Sequence, residues 1–205
     1  MSAALSLTPK EVAALAGTTE KAVRNEIASS IVTPLATPRG RAVRRSFDGR
    51  AVVYFTLLRR LSLPVPAEDR RDLYRVLTED LPACGRWTRT ARGGLRHADL
   101  VTVDTAPVHA EIVHRLDLYR RGLARVESRR DVLGGEPVFK GTRLSVRHVG
   151  GMAANGVPID EIREDYPNLS EDDVAFAALY ARMKPGPGRP AKPLRPVVVR
   201  APAGA

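Results

Sequence analysis

Apolar residues recur at helical spacing near the start of the chain, and they predict a short helix there. In the run LTPKEVAALAG, Thr8 and Glu11 form a Thr-x-x-Glu pattern that is typical of a helix N-terminus. Gly17 favours the end of the helix. The apolar face consists of Val12, Leu15 and Ala16.

A second helix is predicted to begin after Thr18 or Thr19 and to turn Ala22, Val23 and Ile27 inward. Two short helices joined by a glycine turn are typical of a helix-turn-helix. The outer stripe of the second helix consists of Lys21, Arg24, Asn25 and Ala28. Such cations reach phosphate or guanine, an asparagine pairs with adenine, and a small alanine permits close approach. The same stripe is also consistent with a solvated surface.

Two short strands are predicted next, at Ile31-Val32 and from Arg44 to Phe47. The segment between them, TPLATPRGRAV, is rich in turn residues and basic, which is typical of a wing that contacts the DNA backbone. Asp48 then caps the run GRAVVYFTLLRRL, which is apolar nearly all round. That pattern predicts a helix buried on two sides.

Residues 5–62 resemble the small winged helix-turn-helix of the MerR and excisionase type. That family usually has an arginine and two aromatics after its second helix, and Arg-x-Tyr at the end of its wing. Here Asn25 and Glu26 follow Arg24, and Arg45-Ser46-Phe47 closes the wing. We predict a DNA-binding domain over residues 1–62. Its predicted contacts are Thr19, Lys21, Arg24, Asn25, Arg39, Arg41, Arg44 and Arg45.

Residues 63–126 are predicted to form a stiff linker, a helix over 67–81, a strand from Asp99 to Asp104 and a long helix from Pro107. The long helix has an apolar stripe made of Ile112, Leu116, Tyr119 and Leu123. This stripe fits a homodimer interface, because DNA-binding proteins of this size often act as symmetric pairs. Packing inside one chain explains it equally well. The lone Trp87 is more typical of a core than of a stacking surface.

Residues 127–183 are predicted to form a β-hairpin and three helices. Val138-Phe139 and the run from Leu144 to Val146 are the predicted strands, and the helices cover 145–155, 158–165 and 170–183. The overall prediction is therefore a mainly α fold with small β-hairpins.

The runs GGEPVFKGTRLSV and ANGVPIDEIREDYPNLSEDDVAFAALYA resemble a small bacterial helix-turn-helix family. Members of that family are commonly encoded beside PIN-domain nucleases and are regarded as VapB-type antitoxins. The resemblance implies a type II toxin–antitoxin component. The last helix begins with Glu171-Asp172-Asp173, and these carboxylates would repel phosphate. We therefore interpret this unit as a partner-binding surface, with Lys140 and Arg143 facing the toxin.

The final segment, residues 184–205, is rich in proline and glycine and contains no acidic residue. The resemblance implies a toxin with an acidic, Mg²⁺-binding cleft, which an extended basic segment would fit by charge. The predicted toxin contacts in this segment are Arg189, Lys192, Arg195 and Arg200. A solubilising tail and a second, nonspecific DNA contact are the alternatives.

The formal net charge of +10 indicates a polyanionic partner, most simply nucleic acid. The charge is uneven: residues 1–66 carry +6, residues 67–130 carry +3, residues 131–183 carry −4 and residues 184–205 carry +5. With 43% hydrophobic residues the chain can form a packed core. No apolar run suits a membrane span or a secretory signal, so we predict a cytoplasmic protein with no membrane association.

No pattern in the sequence predicts an enzyme. The four histidines lack metal-ligand spacing, and the single Cys84 allows neither a disulfide nor a cysteine-based zinc cluster. Gly134-Gly135 lacks the Gly-Lys-Ser/Thr of a phosphate loop, and no cofactor is predicted. The leading interpretation is a homodimeric antitoxin that binds its operator DNA and neutralises a PIN-domain ribonuclease. A transcription regulator without a toxin, and a protein-interaction module that does not bind DNA, are the alternatives.

Overall fold

Eight helices dominate the part of the chain that the structure, a computed structural model, describes: residues 5–39, 42–61 and 64–183. The helices are α1 (Pro9–Ala16), α2 (Glu20–Ala28), α3 (Gly49–Leu61), α4 (Ala67–Thr78), α5 (Ala106–Ala124), α6 (Val146–Ala154), α7 (Ile159–Asp165) and α8 (Glu171–Met183). The predicted mainly α fold with small β-hairpins is confirmed. None of the described helices combines the length and the hydrophobicity that crossing a membrane requires.

Eight short strands form three antiparallel sheets in the same residues. The strands are β1 (Leu35–Arg39), β2 (Ala42–Ser46), β3 (Ala83–Cys84), β4 (Trp87–Arg89), β5 (Leu95–His97), β6 (Val101–Val103), β7 (Val126–Glu127) and β8 (Val138–Phe139). β1 pairs with β2, β3 to β6 form a four-stranded meander, and β7 pairs with β8.

The first two helices form as the local sequence predicts. The Thr8 hydroxyl accepts a hydrogen bond from the Glu11 N–H at 3.3 Å, and the Glu11 carboxylate accepts one from the Thr8 N–H at 2.7 Å. Gly17 ends α1 with a φ of +70°, a conformation that favours glycine. Thr19, rather than Thr18, caps α2, because its hydroxyl accepts a bond from the Ala22 N–H.

The predicted strand at Ile31-Val32 is wrong. Both residues lie in the bend after α2, and their N–H groups donate to the carbonyl of Glu26. Their side chains are almost fully buried, so their hydrophobicity serves the core and not a strand. The first strand of the hairpin starts later, at Leu35, which pairs with Ser46. Sequence hydrophobicity alone does not separate these two roles.

Helix α3 is the centre of the N-terminal unit, which we define as residues 5–61. The Asp48 carboxylate accepts a hydrogen bond from the Arg50 N–H at the start of this helix, as predicted. Every residue from Ala51 to Leu57 is buried, because α1 packs on one side of α3 while α4 and α5 pack on others. Burial on several sides explains the nearly continuous apolar run.

The arginine-rich segment after α4 forms a small four-stranded sheet. The sequence predicted only one of its strands. α4 ends at Thr78, not at residue 81, and the predicted strand at 99–104 is the shorter β6. Trp87 on β4 is buried, and its indole N–H donates to the carbonyl of Asp69 on α4 at 2.8 Å. This bond and the buried ring attach the meander to α4.

The C-terminal unit, which we define as residues 126–183, pairs its strands differently from the prediction. The partner of Val138-Phe139 is β7, at Val126–Glu127, whereas Ser145 makes only a single bridge to Val138. Val146 already belongs to α6, because the Ser145 hydroxyl caps that helix through the His148 N–H. The three predicted helices are present as α6, α7 and α8.

Helix α5 packs against both the N-terminal unit and the C-terminal unit. Its Tyr119 hydroxyl donates to the Glu11 carboxylate of α1 at 2.6 Å, and the Tyr119 ring lies 6.0 Å from the Phe176 ring of α8. At Gly122 the backbone of α5 approaches α8 so closely that a Cβ would lie 2.1 Å from the Phe176 ring. Ile112 and Tyr119 of the predicted stripe are buried within this chain, while Leu123 is exposed.

We expect Gly122→Ala to lower the free energy of unfolding by about 1–3 kcal/mol, because overpacking displaces the Phe176 ring. The matched control is Gly151→Ala in α6, where nothing lies within 4 Å of an added Cβ. That change should be neutral, or stabilising by up to about 1 kcal/mol through helix propensity. Urea unfolding followed by circular dichroism measures both. Equal effects of the two substitutions would contradict the close α5–α8 packing.

Candidate nucleic-acid interface

The outer face of α2 has the geometry that a recognition helix needs. Lys21, Arg24, Asn25 and Ala28 are all exposed on it. Val23, on the opposite side, is completely buried against the core. The hydroxyl of Thr19 is occupied by capping the helix, although the residue itself is exposed. The structure therefore brings four of the predicted contact residues, Thr19 to Asn25, to one exposed surface.

A largely buried carboxylate fixes the orientation of α2. Glu26 accepts a hydrogen bond from the Tyr54 hydroxyl of α3 at 2.8 Å and pairs with the Arg70 guanidinium of α4 at 3.2 Å. Burial and the bond to Glu26 raise the pKa of Tyr54 well above its usual range, so this phenol remains a donor at neutral pH. Glu26 thus connects α2 to α3 and α4.

Arg24 is held on the helix surface by its neighbour Glu20. The guanidinium lies 2.6 Å from the Glu20 carboxylate, one turn earlier, and 70% of the Arg24 side chain is exposed. Exposed pairs of this i,i+4 kind contribute only about 0.3–0.5 kcal/mol. Arg24 can therefore exchange Glu20 for a stronger anion at little cost.

The structure describes the predicted wing only in part. Its backbone places Arg39 near the end of β1 and Arg44 and Arg45 on β2, with Arg45 opposite Ala36. The side chain of Arg45 is exposed. Arg41, also predicted as a contact, lies outside the described residues. The hairpin follows the bend after α2, and β2 leads into α3.

The cationic side chains fall into two sets, those with a carboxylate partner within the fold and those without one. In the middle of the chain most arginines have a carboxylate within 4.0 Å. These are Arg70, Arg75, Arg86, Arg89, Arg96, Arg115, Arg120, Arg121, Arg125 and Arg129. The basic excess of this segment is thus largely neutralised inside the molecule.

A different set of cations has no carboxylate of the described residues within 4.0 Å. The set is Lys10, Lys21, Arg45, Arg50, Arg59, Arg71, Arg92, Arg130, Lys140, Arg143, Arg163 and Arg182. Arg71, which the sequence analysis did not single out, bonds the carbonyl of Ser30 just beyond α2. The N-terminal unit and Arg71 at its border therefore hold half of these unpaired cations. The excess of +6 over residues 1–66 indicates this charge, but only the structure shows which of the cations lack a carboxylate partner.

The acidic start of α8 is partly neutralised by α5. Asp173 is buried, pairs with Arg125 at 2.9 Å and forms a reciprocal cap with Ser170, as the sequence predicted for this helix start. Asp172 pairs with Arg121 at 2.6 Å. Both carboxylates pair with arginines of α5, but only Asp173 is buried, whereas Asp172 stays exposed.

The residues predicted to face a toxin fall into two groups. Lys140 and Arg143 are both exposed, in the turn between β8 and α6. The other four, Arg189, Lys192, Arg195 and Arg200, lie outside the described residues. The described residues contain no group of three or more histidine, cysteine or acidic side chains arranged to hold a metal ion.

Comparison with known proteins assigns only part of the chain. Residues 126–181 match a family model described as "Protein of unknown function (DUF433)". The chain is also 33% identical, over 93 residues, to the uncharacterized protein y4eO of Sinorhizobium fredii (strain NBRC 101917 / NGR234). That match spans 45% of this chain and 42% of the relative. No solved structure matches the chain significantly.

We expect Glu26→Ala to lower the free energy of unfolding by about 1–3 kcal/mol, because it leaves the buried Tyr54 hydroxyl without its acceptor. Glu20→Ala on the same helix is the matched control, since it removes only an exposed pair and should cost less than about 1 kcal/mol. Denaturant unfolding of both variants measures the difference. The anchoring role of Glu26 fails if the two costs are the same.

Proposed function

We propose that this chain is an antitoxin that binds operator DNA through its N-terminal unit and a PIN-domain ribonuclease through its C-terminal unit. The observation that carries the DNA half is the exposed face of α2, with uncompensated cations on and beside it. A duplex is the polyanion that such a face fits, because phosphate contacts supply most of the nonspecific affinity for DNA.

In this proposal α2 enters the major groove. Arg24 leaves Glu20 and pairs with the acceptor edge of a guanine, while Asn25 pairs with an adenine. Lys21 contacts a base or a phosphate, and Ala28 allows the helix to approach closely. Since Glu26 fixes the helix from behind, these side chains are presented in a constant direction.

The hairpin acts as the wing. Arg45 and the other arginines of this segment, Arg39, Arg41 and Arg44, contact the sugar-phosphate backbone beside the groove that α2 occupies. Such contacts set position and affinity but carry little sequence information. The proposed division is therefore base recognition by α2 and backbone binding by β1 and β2.

The toxin half rests on the resemblance of residues 127–183 to VapB-type antitoxins. The match to a family of unknown function covers nearly the same residues and names no partner. Lys140 and Arg143 are exposed and uncompensated, so they suit the acidic cleft that the resemblance implies for a PIN nuclease. The basic residues of the tail, from Arg189 to Arg200, extend the same complementarity.

We also propose that the chain binds its operator as a homodimer, since paired helix-turn-helix units read two half-sites one helical turn apart. The interface differs from the stripe suggested by the sequence, because Ile112 and Tyr119 of α5 are buried against this chain's own helices. Exposed side chains of α5, such as Val113 and Leu123, remain available for it.

We expect Arg24→Ala to weaken binding to the operator by about 1–3 kcal/mol and to relax the preference for one base pair. Arg45→Ala is the matched control on the wing and should weaken all duplexes alike, since its contact is to phosphate. Fluorescence anisotropy with the operator and with single-base variants separates the two effects. If neither substitution changes affinity, the assignment of DNA binding to this unit is wrong.

We expect the full-length chain to co-purify with the PIN-domain nuclease encoded by an adjacent gene and to suppress its ribonuclease activity. Replacing both Lys140 and Arg143 by alanine should weaken this complex at least tenfold, or about 1.4 kcal/mol. The double change of Arg92 and Arg130 to alanine removes equal charge elsewhere and should leave it intact. An adjacent gene of another kind, or a nuclease that stays fully active, would favour a regulator without a toxin.

A further inference from the structure

A groove joins the two units on the side where α2 begins. Helix α1 and the turn after it contribute Lys10, Ala13, Ala14, Gly17 and Thr18 to the lining. Helix α2 contributes Glu20, and α8 contributes Arg182. The volume of the groove is about 360 Å³. The groove therefore combines the start of the recognition helix with the last turn of the C-terminal unit.

The charge of this groove is positive and uncompensated. Neither Lys10 nor Arg182 has a carboxylate of the described residues within 4.0 Å. The one acidic residue in the lining, Glu20, pairs with Arg24 at 2.6 Å in the free protein, and the two cations outnumber it when Arg24 turns to a base. The remaining lining residues, Ala13, Ala14, Gly17 and Thr18, are small, so they leave room for an anion in the groove.

Arg182 is presented from a rigid support. The residues around it on α8, Leu179, Tyr180 and Met183, are buried, and α8 packs on both α1 and α5. A cation on such a packed helix has a fixed position relative to α2, which a cation in a loose loop does not have.

The groove lies next to the surface that faces DNA in the proposed function. Thr18 and Glu20 in its lining immediately precede Lys21, the first residue of the outer stripe of α2. A duplex bound along that stripe therefore brings its sugar-phosphate strand past the N-terminal end of α2.

We propose that this groove binds a backbone phosphate of the duplex that α2 recognises, with Lys10 and Arg182 as the two cationic contacts. The C-terminal unit is then part of the DNA interface, through its last helix, in addition to its role toward a protein partner. This inference rests on the proposed DNA binding by α2, and it adds a contact that neither unit possesses alone.

The test is a salt titration of DNA binding by the full-length protein. Anisotropy is measured with a duplex selected from a random pool, from 50 to 300 mM NaCl, for the wild type and for Lys10→Ala, Arg182→Ala and the double variant. Each phosphate contact contributes about 0.9 to the slope of log K against log salt concentration. Because both cations contact one phosphate, we expect the double variant to lose about that much slope, each single variant to lose a part of it, and all duplexes to be affected alike.

Two further variants distinguish a phosphate contact in the groove from a general effect of net charge. Arg163→Ala removes the same charge from α7, in the same unit, and should leave the slope unchanged, whereas Arg182→Lys retains the charge and should restore most of it. Thermal unfolding establishes that each variant is folded, and Lys10→Ala tests the groove independently if Arg182→Ala lowers stability.

The outcomes separate this inference from the proposed function. If the wild type binds duplex DNA and Arg24→Ala weakens it, but Lys10→Ala and Arg182→Ala titrate like the wild type, the groove is not a phosphate site. Equal loss of slope in Arg163→Ala overturns it as well, because the effect is then one of net charge. A wild type without salt-dependent DNA binding overturns the proposed function and this inference together.

Discussion

The side chain of Tyr119 holds the two units of this molecule together. Its hydroxyl donates to Glu11 of α1, and its ring packs beside Phe176 of α8, while Gly122 allows the backbone of α5 to reach α8 one turn later. Burial and the bond to Glu11 raise the pKa of this phenol, so it stays neutral and remains a donor at neutral pH. One residue of α5 thus contacts both the capping box of α1 and the core side of α8.

Ion pairs within the fold divide the cationic side chains into a paired set and an unpaired set. Arg121 and Arg125 of α5 hold the carboxylates of Asp172 and Asp173, so much of the basic middle segment has its counter-charge within the fold. Lys21 and Arg45, in contrast, have no such partner among the described residues. Net charge along a sequence is thus a poor guide to a binding surface until the internal pairs are removed from the count.

Much of the fold could be predicted because its signals are local. The Thr8–Glu11 and Ser170–Asp173 caps depend on residues three positions apart, and Gly17 marks a turn by its backbone alone. The partner of β8 could not be predicted in this way, since β7 at Val126–Glu127 lies outside the glycine-rich run that signals a hairpin. Of the candidate site, α2 was identified by its stripe, whereas the position of Arg182 beside it depends on how α8 packs.

The packing of α5 and α8 on α1 links the folding of the two units. The inner side of α1 is covered by α3, α5 and α8, so the N-terminal unit lacks part of its hydrophobic enclosure whenever the C-terminal helix detaches. Detachment of α8 and loosening of α1 are then linked steps of one transition. A force that pulls α8 away would uncover the apolar side of α1 in the same event, so the stability of each unit limits that of the other.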